Sequence, residues 1–208
     1  MKRQMLWVRN AGFYYNASAI NITSGSKGTI LFWMHHDYGW NPINILALEC
    51  DNGDYMRLQY YGSYLRWESN SNGTKRAAYI GPGLEWTNVN KELRWCLFCL
   101  YWDYTGGKQV LGIRFNNWTP SEITNSVAPR TNASKLYIGA RETETSYLEI
   151  QGTVFDNLTI YDGVITASEF AALGASETSH TKLIAARRRI PQNDDVADGN
   201  IIFQATWN

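Results

Sequence analysis

Apolar and polar positions alternate along most of the chain, in short runs separated by turn residues. GTILFWMHHD at 28–37 is β-branched and aromatic and is bounded by Gly28 and Gly39. INILALEC (43–50) is a second apolar run, followed by Asp51-Asn52-Gly53-Asp54. Asn-Gly is the strongest short hairpin signal. In YMRLQYY (55–61) Met56, Leu58 and Tyr60 fall on one face, and Tyr55, Arg57, Gln59 and Tyr61 on the other. Gly62-Ser63 turns the chain into YLRWES (64–69), and SNSNGT (69–74) reads as another turn. ELRWCLFCLYWD (92–103), QVLGIRF (109–115), KLYIGAR (135–141) and TVFDNLTIYD (153–162) complete the evident strands. Many short strands with Gly and Asn turns predict an all-β sandwich or barrel. Its inward face is expected to hold Ile30, Phe32, Leu46, Leu58, Leu97, Ile138, Leu158 and Ile160. One segment has the helical period: in ITASEFAALGA (165–175), Thr166 and Glu169 stand at capping-box spacing and Gly174 follows as a stop. This predicts a single short helix near 166–173.

Composition narrows the function classes. The 208 residues carry 19 Lys and Arg against 19 Asp and Glu, for a formal net charge of 0. A partner held by phosphate contacts would need a basic surplus, so no nucleic acid is expected. Aromatic residues are abundant, at 9 Trp, 13 Tyr and 7 Phe, which suits pleated surfaces. No apolar run reaches the roughly 18 residues of a membrane-spanning helix. In MKRQMLWVRNAG only Met5 to Val8 is apolar, short of the roughly 7–15 residues of a secretory signal. The chain is therefore expected to take another route than secretion, unless a signal lies outside this sequence. Cys96 and Cys99 form a C-x-x-C, but on a strand they point to opposite faces. Trp95, Leu97, Cys99 and Tyr101 share one face and Cys96, Phe98, Leu100 and Trp102 the other. Together with Cys50 they read as buried free thiols.

Three segments carry a family resemblance. GTILFWMHHD resembles the "G-T-I-x-F-W" strand of laminin-G-like domains, and LRWCLFCLYWDY their "W-x-x-v-x-x-x-W-D" strand. LYIGARETETSYLEIQGTVFDNLTIYDGVITASEFAAL is similar to their closing pattern. That pattern has an "L-x-I-G" strand (Leu136–Gly139), a glycine (Gly152), an "I-D-x-V-x-I-Y" strand (Phe155–Tyr161) and a terminal "L-S-x-x-E-I-x-A-L". The spacing from Gly152 to Asp156 is one residue longer than the pattern, as a bulge would make it. The resemblance covers roughly residues 10–175. It implies a concanavalin A-like jelly roll of two antiparallel sheets, in a superfamily that includes glycan-binding, protein-binding, calcium-binding and glycoside-hydrolase members as well as phage structural proteins. The organisation expected is a domain over 1–175 and a C-terminal arm or added strands over 176–208.

Fold does not settle function, so the side chains must. The laminarinase-like hydrolases of this superfamily use an E-x-D-x-x-E strand, whose acids share one face. The nearest string, Glu49-Cys50-Asp51-Asn52-Gly53-Asp54, crosses a turn, so no catalysis is expected. His35-His36-Asp37 alternate in direction on a strand, which speaks against zinc. No cofactor is expected; for calcium the candidate ligands are Asp51, Asn52 and Asp54, or Asp156. Asp156 is expected to share a face with Val154, Leu158 and Ile160 and to cap turn amides. For glycans, Trp40 with Asn41, Trp86 and Trp118 lie in loop-like sequence, and Tyr55, Tyr61 and Tyr64 sit together on one hairpin as an exposed patch. The arm holds Leu183, Ile184, Ile201, Ile202, Phe203 and Trp207, too apolar for a disordered tail. It would either pair with the N-terminal strand MLWVRN of its own sandwich or add an edge strand to a neighbouring subunit. The motif-bearing part already ends near Leu173, which favours the neighbour.

These readings converge on a non-catalytic interaction module, expected as a virion surface component assembled in a host cytoplasm. Its partners would be other virion proteins, copies of itself or cell-surface glycans. A secreted or surface lectin is the alternative, and a glycoside hydrolase the third reading.

Overall fold

The computed structural model describes residues 6–8, 13–35, 43–61, 64–80, 95–115, 120–138, 153–173 and 201–205. They form a two-sheet antiparallel jelly roll. One sheet runs β1 (Leu6–Val8), β12 (Thr153–Tyr161), β3 (Lys27–His35), β8 (Trp95–Asp103), β9 (Val110–Phe115) and β10 (Ser121–Ile123), with β13 (Ile201–Ala205) also paired to β12. The other runs β2 (Phe13–Asn16), β11 (Lys135–Ile138), β4 (Ile43–Glu49), β5 (Tyr55–Tyr61), β6 (Tyr64–Ser71) and β7 (Thr74–Ile80). Alternation sends every second residue inward, so the two sheets enclose a core with Ile30, Phe32, Leu46, Leu58, Ile138, Leu158 and Ile160. Phe32 stacks on Phe98 with ring centroids 5.1 Å apart, and Phe155 and Phe115 extend this aromatic layer.

Leu97 is the exception among the expected core residues. It lies on the opposite face of β8, with Cys99 and Tyr101, in a second apolar cluster. A strand that is apolar on both faces gives no sign of which face is inward. The second cluster exists because α1 (Ala167–Ala172) covers the outer face of the seven-stranded sheet. Phe170 and Leu173 pack there with Leu31, Trp33, Tyr161 and Ile165. The helix starts with the expected capping box: Thr166 Oγ1 accepts from the Glu169 amide at 3.3 Å, and Glu169 Oε2 accepts from the Thr166 amide at 2.6 Å. Thr29 fixes the approach, donating to the Gly163 carbonyl and accepting from the Ile165 amide. Cys50, Cys96 and Cys99 are free and buried, and burial pushes the Cys50 and Cys99 thiols up to about 11. The Cys50 and Cys99 thiols are therefore protonated near neutrality and are poor nucleophiles.

Three further expectations change. The turn read at 69–74 is only two residues long: Asn72 and Gly73 both have positive φ (49° and 81°), so β6 runs on to Ser71 and β7 starts at Thr74. In β12 the register with β3 shifts between Asp156 and Thr159. Phe155, rather than the predicted Asp156, therefore shares the core face with Leu158 and Ile160. Lastly, β13 pairs with β12 and not with the N-terminal strand. β1 holds the Thr153–Phe155 half of that edge and β13 the Leu158–Tyr161 half.

Candidate functional site

The outer face of the six-stranded sheet is polar where that of the other sheet is apolar. Its centre is the β5–β6 hairpin. β5 and β6 pair Tyr61 with Tyr64, Gln59 with Arg66, Arg57 with Glu68 and Tyr55 with Asn70. Met56, Leu58, Leu65 and Trp67 take the core side, which leaves these polar partners on the outside. Neighbouring strands extend the rows, so that Asn44, Gln59, Arg66 and Tyr79 form one line and Tyr14, Tyr137, Ala47, Arg57 and Glu68 another.

A single buried carboxylate organises this surface. Glu68 Oε1 accepts from Tyr55 Oη at 2.8 Å and from Arg57 Nε at 3.1 Å, and Glu68 Oε2 lies 3.3 Å from an Arg66 guanidinium nitrogen. Arg66 also donates to the Gln59 carboxamide, which in turn donates to Asn44 Oδ1. The Arg57 guanidinium sits 4.5 Å above the Tyr55 ring. Two guanidinium groups thus flank one carboxylate in a connected chain from Asn44 to Tyr55. Such a network holds its side chains in one arrangement before any ligand arrives.

Around it stand exposed rings. Among the described residues the exposed large hydrophobics are Tyr14 (61 %), Tyr79 (48 %) and Tyr64 (37 %), and all three lie on this face. Tyr64 and Tyr79 meet edge to face at 6.2 Å. Tyr14 packs beside Tyr137 at 5.7 Å, with Lys135 Nζ 5.2 Å from its ring centre. Tyr14 and Tyr79 lie on the two edge strands, five strand spacings or roughly 24 Å apart.

The expected site residues divide accordingly. Tyr64 is on the rim. Tyr55 is only 5 % exposed, so it belongs to the buried network and not to an exposed patch. Tyr61 pairs with Tyr64 through its backbone. Trp40, Asn41, Trp86, Trp118, Leu183, Ile184 and Trp207 lie outside the described residues, while Ile201, Ile202 and Phe203 are in β13. Sequence reasoning missed Asn44, Arg57, Gln59, Arg66, Glu68, Tyr14 and Tyr79. The signal for the central four was present: a hairpin read from the sequence with Gly62-Ser63 between its strands puts Arg57 opposite Glu68 and Gln59 opposite Arg66.

The candidate calcium and catalytic residues are used otherwise. Both Asp54 oxygens are taken, Oδ1 by the Asn72 amide (2.8 Å) and an Arg130 guanidinium nitrogen (3.1 Å), Oδ2 by Arg130 N and Nε (both 2.9 Å) and Asn52 Nδ2 (3.2 Å). Arg130 already stands where a cation would, so this loop does not fit calcium. No cluster of three or more His, Cys, Asp or Glu able to hold a metal occurs among the described residues. Glu49 ends β4 and Asp51 lies exposed in the following turn, so these acids do not share a strand face. No helix among the described residues is long and apolar enough to cross a membrane.

No family model matches the chain, and no curated protein matches it. Solved structures do. The receptor-binding domain of botulinum neurotoxin D aligns with TM-score 0.62 and 10 % identity, over 91 % of this chain and 44 % of that one. The binding domain of botulinum neurotoxin DC in complex with SialylT aligns with TM-score 0.55 and 9 % identity, over 73 % and 36 %. Domains LG4-5 of the mouse laminin alpha1 chain align with TM-score 0.50 and 12 % identity, over 76 % and 41 %. The chain thus spans less than half the length of these proteins. At such identities the shared property is the fold, and it is the concanavalin A-like jelly roll that the sequence resemblance implied.

Proposed function

We propose that the chain is a non-catalytic binding module that holds an extended glycan along the outer face of its six-stranded sheet. The observation that carries this is the location of Tyr14, Tyr64 and Tyr79, the three exposed large rings among the described residues, on one face around a prearranged polar network. Aromatic faces pack on the apolar faces of sugars, and their hydroxyls offer a polar handle. The spacing of roughly 24 Å between the two ring platforms suits a chain of several sugars better than a single one. The buried Arg57–Glu68–Arg66 group ties β5 to β6, the strand that carries Tyr64. The neurotoxin neighbours are binding domains, one of them in complex with SialylT, which supports the same reading.

The finer reading is a virion surface component. Three buried free thiols fit assembly in a reducing cytoplasm, and capsid or tail genes beside its gene would support it.

A glycan array tests the main claim: the intact chain should retain oligosaccharides and pass over monosaccharides. Capture of no glycan at all would overturn it in favour of a protein ligand. Glu49→Gln with Asp51→Asn should leave the binding unchanged, whereas hydrolysis of a bound glucan that this pair of changes abolishes would contradict the non-catalytic reading.

A further inference from the structure

We propose that β13 is an exchangeable strand, and that the Leu158–Tyr161 edge of β12 accepts residues 201–205 from a second copy of this chain as well as from its own. The placement of the two ends of the preceding segment carries the argument. Leu173, just after α1, packs in the same apolar cluster as Tyr161. Ile201, the first residue of β13, pairs with that same Tyr161. The chain therefore leaves and returns beside one residue, yet 27 residues, 174–200, lie between. Fully extended, 27 residues reach up to about 90 Å, enough for the β12 edge of an adjoining molecule.

The acceptor is built to take a strand. β1 covers only Thr153–Phe155, so without β13 the rest of the β12 edge would present unpaired backbone donors and acceptors. The incoming segment, Ile201-Ile202-Phe203-Gln204-Ala205, has none of the charges or prolines that blunt a permanent edge. Its pairs, Leu158–Ala205, Thr159–Gln204 and Ile160–Phe203, are the same whichever molecule supplies the strand. Reciprocal exchange closes a two-fold dimer. The balance between the two forms then follows protein concentration, because the contacts are equal and only the tether differs.

The test uses the full chain with Thr159→Cys and Gln204→Cys, which stand opposite each other. The protein is refolded at low and at high concentration, crosslinked by oxidation or a short bis-maleimide, and run without reductant, with each single variant as control. Covalent dimers that increase with concentration are expected. Intramolecular crosslinks alone at every concentration would overturn the proposal. If the double variant fails to fold, light scattering on the unmodified chain decides. A dimer at high concentration that Phe203→Pro removes supports the exchange, because proline deletes a strand donor. A chain that stays monomeric, or a dimer that survives Phe203→Pro, refutes it.

Discussion

The outer faces of the two sheets solve the same problem in opposite ways. Each sheet buries one face in the common core and has a second face to dispose of. The seven-stranded sheet makes that face apolar and closes it with its own chain, α1 lying over Leu31, Trp33, Leu97, Cys99 and Tyr161. The six-stranded sheet makes it polar, ties the centre together through Glu68, and leaves Tyr14, Tyr64 and Tyr79 in solvent. Where α1 packs, that face is buried under the chain itself. Rings held in solvent on a rigid sheet are what a binding face requires, since little order is lost when a ligand arrives. On the proposed function, the difference gives one outer face to stability and the other to recognition.

The largest effects should come from removing the centre of either face. Phe170→Ala takes a large ring from the apolar side and should cost about 3–5 kcal/mol. Glu68→Ala should cost a similar ~3–5 kcal/mol, because it leaves Arg57 and Arg66 without their carboxylate in a buried site. Denaturant midpoints measure both. The contrast appears when Glu68, Arg57 and Arg66 are replaced together by apolar residues of similar volume. Stability should then return to near the starting value, while glycan binding should stay lost. Full binding in that triple variant would mean that the network has no part in recognition.

Gly112→Ala is expected to be smaller, about 1–3 kcal/mol by overpacking. A Cβ there would lie 2.0 Å from the Tyr101 ring, which is fixed by Arg114 at 4.1 Å above it and by a 2.7 Å bond to Glu122. A neutral result would show that the Tyr101 stack can move.

A still smaller effect is confined to acid. Burial alone would raise the Asp54 carboxyl, but bonds from the Arg130 side chain and from the Asn72 and Arg130 amides outweigh it and hold the group at about 2, against an ordinary 3.8. A lowered folded-state pKa adds stability that is present above 3.8 and disappears as the pH falls toward about 2. Melting temperatures between pH 5 and pH 2 should fall more steeply for the unmodified chain than for Asp54→Asn. Parallel curves would remove Asp54 as the clasp between the loops at 52–54, 72 and 130.

The strand pattern of both sheets was legible because alternation and Asn-Gly turns act locally. The identity of the inner face of β8 was not, since Leu97 and Phe98 are equally apolar and only the position of α1 separates them. The recognition face was half legible. The hairpin read from the sequence already puts Arg57 opposite Glu68, but the burial of Tyr55 depends on Arg57 folding over its ring. Tyr14 and Tyr79 join the face through pairings with Tyr137 and Arg66, and in the case of Tyr14 the partner is 123 residues away in sequence. The edge taken by β13 was missed for the same reason: many strands offer an edge, and local sequence does not rank them.

The most direct test of the division between the two faces is a calorimetric titration of the best-retained glycan into the chain carrying Tyr14→Ala, Tyr64→Ala and Tyr79→Ala. Exposed surface positions usually change stability by less than about 0.5 kcal/mol each. The account predicts an essentially unchanged melting temperature with binding reduced at least tenfold, and no comparable loss from changing the exposed α1 residue Ala171 to Ser. Binding that persists at full strength in the tyrosine variant would contradict it.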